Sequence, residues 1–138
     1  MSIRVVRLGT PRTAGEGIRL GTVRRPPRGV PKRDFARRDF YDVWVPELAP
    51  TAATVSWALA DPWAPARWRR YERIYLKEMA APVARHLIEL LAALSKSANF
   101  AVGCYCEDAS HCHRSLLARL LADAGATMGG EGGEPPTG

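Results

Sequence analysis

All three cysteines of this 138-residue chain, and two of its three histidines, fall between Cys104 and His113. A thiolate is a nucleophile, and a neighbouring imidazole can take its proton. Cys112 followed by His113 is therefore the candidate reactive pair, with Glu107 the candidate acid or base. Cys106, Arg114 and Ser115 are candidates for holding a ligand. Cys106, His111, Cys112 and His113 are also good zinc-ligand types. However, the segment has no Cys-x-x-Cys pair and the chain has no second ligand cluster. Crowding four ligands from so short a stretch around a tetrahedral ion is sterically demanding. No metal ligand is assigned on this pattern and no cofactor is expected; metal binding stands as the third reading.

The elements around the cluster decide which chemistry is open to it. Asn99 to Cys106 reads as a short strand, and Leu116, Leu117, Leu120, Leu121 and Ala124 make the apolar face of a helix that stops near Gly125. The cluster is thus predicted to be a strand-to-helix loop, where open α/β sheets bind ligands. Asp108 or Ser110 can cap that helix, which puts Cys112, His113 and Arg114 in or near its first turn. Unpaired N–H groups and the helix dipole there favour a thiolate, so Cys112 is expected to carry the lowered pKa. A cation at that end opposes the dipole, which makes sense of Arg114 only if an anion lies between them. Cys104, mid-strand, reads as core rather than ligand.

Upstream, Ile3–Leu8 and Ile18–Val23 read as strands, and Phe40–Val45 as a strand or an aromatic helical turn. Thr51 is the expected N-cap of a short helix ending at Asp61-Pro62. Two stronger helices follow, Pro65–Ala80 and one starting at Pro82, each opening on proline at the favoured first position. His86 reads as a surface residue. Strands separated by helices predict one α/β domain over 1–126, a small, mostly parallel sheet with helices on its faces. The Gly/Pro-rich 127–138 is expected to be a disordered tail.

Charge is unevenly distributed. Residues 1–38 hold eleven Arg or Lys against Glu16 and Asp34, a net of +9, while the remainder carries −3. Such polarity suits a phosphate-bearing partner, or simply neutralises the protein's own acids. No stretch is apolar enough for a membrane span, so no membrane partner is expected. With no apolar leader at the N-terminus and an odd number of cysteines, the expectation is a reduced, cytoplasmic protein rather than a disulfide framework. Oligomeric state is left open.

The run Cys106-Glu107-Asp108 with Cys112-His113-Arg114-Ser115 resembles the signature of the domain of unknown function 488, in its YeaO-like branch. Pro27-Arg28-Gly29, Leu48-Ala49-Pro50-Thr51 before the Trp57 helix, and the Trp68, Tyr71, Tyr75 and Glu78 pattern are similar too. The resemblance runs from about Ile3 to Ala124. It departs at Pro26, where the branch usually has tryptophan. It implies a Rossmann-like α/β fold and no particular reaction.

Together these observations favour a site for an anionic ligand, a nucleotide or nucleic-acid phosphate, formed by Arg28, the 106–115 loop and Arg114, with thiol chemistry at Cys112. The alternative is a non-catalytic nucleic-acid-binding module that uses the basic N-terminal third. Whether the protein is an enzyme depends on which of these holds.

Overall fold

Alternating apolar residues at Ile3, Val5, Leu20, Phe100 and Val102 build a sheet that buries one face under helices. The computed structural model describes residues 1–131. Its strands are β1 (Ile3–Arg7), β2 (Ile18–Gly21), β3 (Val43–Trp44), β4 (Phe100–Cys104) and β5 (Met128–Glu131). Its helices are α1 (Ala52–Ala60), α2 (Pro65–Met79), α3 (Pro82–Leu94) and α4 (His113–Asp123). The sheet order is β3-β2-β4-β1-β5, and every pairing is parallel. The expected Rossmann-like α/β architecture is therefore present. Because the strands run one way, their carboxyl ends share one edge: Arg7 lies opposite Cys104, and Gly21 opposite Gly103.

The main core joins Tyr71, Tyr75 and Met79 of α2, Ile88 and Leu91 of α3, and Leu116, Leu117 and Leu121 of α4 to the sheet. The opposite face carries a second cluster of Val6, Ala101 and Val23, closed by Phe35, Phe40 and Tyr41. An aromatic loop, rather than a helix, covers that side. Beneath it Arg19, fully buried, donates to Glu16 at 2.7 Å and to the carbonyls of Thr10 and Asp39.

Local chemistry sets the ends of the elements. Thr51 caps α1 and Pro65 and Pro82 open α2 and α3, as their sequence positions suggest. Gly17 holds a positive φ (+84°), and a Cβ there would collide with the Asn99 carbonyl. The tail expectation needs correction at its start. Met128–Glu131 pair with β1, anchored by Ile3 N–H donating to Thr127 O and Thr127 N–H to Ser95 Oγ, both at 2.9 Å. Residues 132–138 lie outside the described part. No helix among the described residues is long and apolar enough to cross a membrane.

Candidate functional site

Beyond the carboxyl edge of the sheet, β4 ends at Cys104 and the chain makes one turn of 3-10 helix (Ala109–His111) before entering α4. Asp108 caps that turn, accepting from Ser110 N–H and from the Ser110 hydroxyl, while its second oxygen lies 2.7 Å from His111 Nδ1. The Ser110 hydroxyl and then His111 hold the Asp108 carboxyl down at about 2, so it stays ionised. Cys112 takes the extended conformation that ends the turn and starts α4. The loop thus folds back on the strand end.

This folding brings three sulfurs together. The Sγ atoms of Cys104, Cys106 and Cys112 all lie within 4.8 Å of one another. Cys104 and Cys112 are buried, whereas Cys106 is exposed. The structure thus corrects the reading of Cys104 as core alone: it is buried as expected, but its sulfur belongs to the cluster. Strand periodicity puts Cys104 and Cys106 on one side, and the loop returns Cys112 to them. His111 and His113, both considered as metal ligands, are not in the cluster.

The electrostatics also differ from expectation. Hydrogen bonds from the Cys104 and Cys112 thiols hold Cys106 below the ordinary thiol range, against the opposing effect of burial, with the charge of Arg114 helping. The same bonds, and burial, push Cys112 well above it. Proximity to a helix N-terminus does not make Cys112 the thiolate, because its buried sulfur serves as a donor and its side chain caps nothing.

His113 is buried, and its Nε2 lies 2.5 Å from the Thr22 carbonyl. A carbonyl only accepts, so Nε2 carries the proton and Nδ1 offers a lone pair towards Cys112 Sγ, 3.7 Å away. Burial lowers the His113 pKa more than the Thr22 bond raises it, which keeps the ring neutral. Arg114 is buried as well. Its Nη1 donates to the Cys106 carbonyl at 2.7 Å and to Cys104 Sγ at 3.6 Å. The cation beside the helix start is therefore hydrogen-bonded from within, to a carbonyl and a sulfur.

Other sequence candidates fall elsewhere. Glu107 points to solvent and pairs with Arg7 at 3.4 Å, its side chain 82% exposed. Ser115 Oγ donates back to the Cys112 carbonyl at 2.9 Å. Arg28 is exposed and lines neither cavity next to the thiols. Arg114, the other half of the expected composite site, is buried and turned to Cys104 and Cys106. Much of the basic N-terminal third is engaged internally. Arg12 pairs with Asp39 and Asp42, Arg19 with Glu16 and Arg37 with Asp34, while Arg24 donates to three carbonyls.

Two cavities flank Cys106. One of about 130 Å³ is bounded by Cys106, Cys112, His113 and an aromatic wall of Trp63, Tyr71 and His111. Trp63 stacks on His111 at an interplanar angle of 15° and meets Tyr71 edge-on. Only Tyr71 of these three belongs to a long helix, α2; Trp63 precedes it and His111 lies in the 3-10 turn. Burial and the nearby thiols raise the Tyr71 pKa, so its hydroxyl stays protonated. The second cavity, about 160 Å³, is bounded by Cys104, Cys106, Tyr105, Arg24 and Arg25. A larger one of about 520 Å³ runs along β3 past Lys32, Phe35 and Trp44, and shares no residue with the thiol cluster.

The family model described as the active DUF488-N3 subclade matches residues 3–125. The chain belongs to the DUF488 family. That span covers every strand but β5 and the whole thiol cluster, so the resemblance in Cys106–Ser115 reflects membership and extends across the fold. No curated protein and no solved structure matches the chain significantly. Within this DUF488 domain, the clustered cysteines are a donor set able to bind a metal ion.

Proposed function

We propose that Cys104, Cys106 and Cys112 form a thiolate centre for a soft divalent ion, zinc first, with one coordination position left open. The observation that carries this reading is the convergence of three sulfurs within 4.8 Å at the sheet edge. Zinc–sulfur bonds of about 2.3 Å imply sulfurs roughly 3.8 Å apart in a tetrahedron, so closure needs only side-chain adjustment. Three thiolates around a divalent ion leave a net charge of −1, and the buried guanidinium of Arg114 stands against Cys104 to offset it. Three protein ligands with the fourth position free is the pattern of sites that act on a bound molecule. Cys106 and Cys112 border the aromatic cavity, which gives that position access. His113, fixed through Thr22, stands beside Cys112 as a support for its sulfur.

The test is metal content. Full-length protein supplied with zinc should retain one ion per chain after desalting, and Cys104→Ser, Cys106→Ser and Cys112→Ser should each weaken retention at least tenfold. Wild-type protein that retains none overturns the reading.

A second reading, free-thiol chemistry, is favoured by the position of Cys106, which is the exposed member of the three and borders both cavities. In it Cys106, held as the thiolate by the Cys104 and Cys112 thiols, takes the nucleophile's place. Glu107, turned to Arg7, has no part. Faster alkylation of Cys106 than of Cys104 or Cys112 in chelator-treated protein would favour this reading, and equal rates at all three would count against it.

A further inference from the structure

We propose that Cys106 and Cys112 are a modification site: a peroxide oxidises Cys106, and Cys112 closes a reversible disulfide with it. The release of metal that follows rests on the zinc reading, whereas the disulfide itself does not.

The three sulfurs lie within 4.8 Å of one another. A disulfide needs about 2.05 Å, so two of the three must approach further. Cys104 has the least freedom to do so. It is the last residue of β4, in register with Arg7 of β1, and its carbonyl accepts from Leu8 N–H at 2.8 Å. Its sulfur also accepts from Arg114 Nη1 at 3.6 Å. A link from Cys104 to Cys106 would close around Tyr105 alone, whose hydroxyl is tied to the Arg25 carbonyl. Cys106 and Cys112 instead lie beyond the strand, on either side of the 3-10 turn. Asp108 fixes that turn through Ser110 and His111, which keeps Cys112 folded back towards Cys106.

Exposure sets the order of events. Cys106 is exposed, whereas Cys104 and Cys112 are both 1% exposed, so a peroxide arriving from solvent meets Cys106 first. An accessible cysteine beside a second that can resolve it is the arrangement of redox-responsive sites. The Cys106 sulfur attacks one peroxide oxygen, the O–O bond breaks, and water leaves with the thiol proton, giving a sulfenic acid. The Cys112 sulfur then attacks the Cys106 sulfur. The S–S bond forms, the S–O bond breaks, and the hydroxyl leaves with the Cys112 proton as a second water. Two electrons have passed from the sulfurs to the peroxide. A disulfide with an exposed member is the labile kind, open to reduction by a small dithiol. While it lasts, Cys104 is the one cluster ligand left, too few to hold zinc.

The test exposes metal-free full-length protein to hydrogen peroxide and maps the product by mass spectrometry. The chain should lose two hydrogens, carry its link between Cys106 and Cys112, and fall from three thiols to one when counted in denaturant. Dithiothreitol should restore all three. Cys104→Ser should form the same link, whereas Cys106→Ser should keep both of its thiols at the same peroxide dose. Cys112→Ser should accumulate Cys106 sulfenic acid, trapped by dimedone, and then higher acids that dithiothreitol does not reverse. A link that maps to Cys104, or wild-type protein that keeps all three thiols, overturns the proposal. Zinc-loaded protein given the same treatment should release its ion to a chromophoric chelator, and an ion retained by fully linked protein overturns the control of metal. Protein that forms the link but never retains zinc refutes the metal reading and leaves the disulfide standing, so the two can fail separately.

Discussion

Arg114 joins the end of β4 to the start of α4, since one guanidinium nitrogen serves both the Cys106 carbonyl and the Cys104 sulfur. Replacing it with alanine leaves that carbonyl without its donor and removes the charge opposite the thiols. We expect Arg114→Ala to cost about 2–3 kcal/mol in urea unfolding. It should also weaken zinc retention at least tenfold. A loss below about 0.5 kcal/mol, the range of ordinary surface changes, would contradict the role given to it. At this scale the sequence was informative only where residues are adjacent. The grouping of Cys106, Cys112, His113 and Arg114 in one loop was legible. Cys104 was not, because a buried ligand and a buried core cysteine give the same strand pattern. Spacing along the chain says nothing about where the exposed Arg28 loop, some eighty residues away, lies relative to the thiols. Arg25, three residues earlier, lines a cavity beside the thiols instead.

At the scale of elements, one carboxylate ties the first turn of α1 to α2. Glu78, near the end of α2, accepts from the Thr51 amide at 3.1 Å, the Thr51 hydroxyl at 2.8 Å and the Thr54 hydroxyl at 2.7 Å. The link positions Trp57, which packs edge-on against Trp63, and so steadies the wall of the aromatic cavity. Glu78→Ala should therefore cost about 2 kcal/mol by urea unfolding. It should also speed hydrogen exchange in α1 more than in α3, and equal acceleration in both helices would contradict a local anchor. Helix starts were legible from Thr51, Pro65 and Pro82 because caps and prolines act locally. β3 and β5 were not. β3 has only two residues, and β5 contains Gly129 and Gly130, which have little strand preference of their own. The Thr127 contacts with Ile3 and Ser95 create that edge strand.

For the whole molecule, the high formal charge hides a network of internal pairs. Asp42 accepts from both Arg12 terminal nitrogens, at 2.8 and 3.2 Å, and from the Arg19 amide at 2.7 Å. Burial pushes its carboxyl up, but these bonds and charges outweigh it and leave the pKa below its usual value of 3.8. A carboxyl lowered on folding adds stability above its unfolded pKa and loses it as pH falls through the folded one. Melting temperature should thus fall on acidification below about pH 4. Asp42→Asn should begin less stable at neutral pH and show a shallower decline between pH 5 and 2. Parallel declines in the two proteins would show that Asp42 contributes little. The charge asymmetry was legible in the sequence, but its use was not. Arg12, Arg19 and Arg37 face acids of the fold itself, which leaves fewer cations for a nucleic-acid surface than the net +9 suggests.

X-ray absorption at the zinc edge of the reconstituted full-length protein tests the thiolate centre most directly, because it counts the sulfurs that hold the ion. Three sulfur neighbours at about 2.3 Å and one lighter nitrogen or oxygen neighbour at about 2.0–2.1 Å in the open position are expected. A first shell made only of nitrogen and oxygen would place the metal away from Cys104, Cys106 and Cys112, and would contradict it.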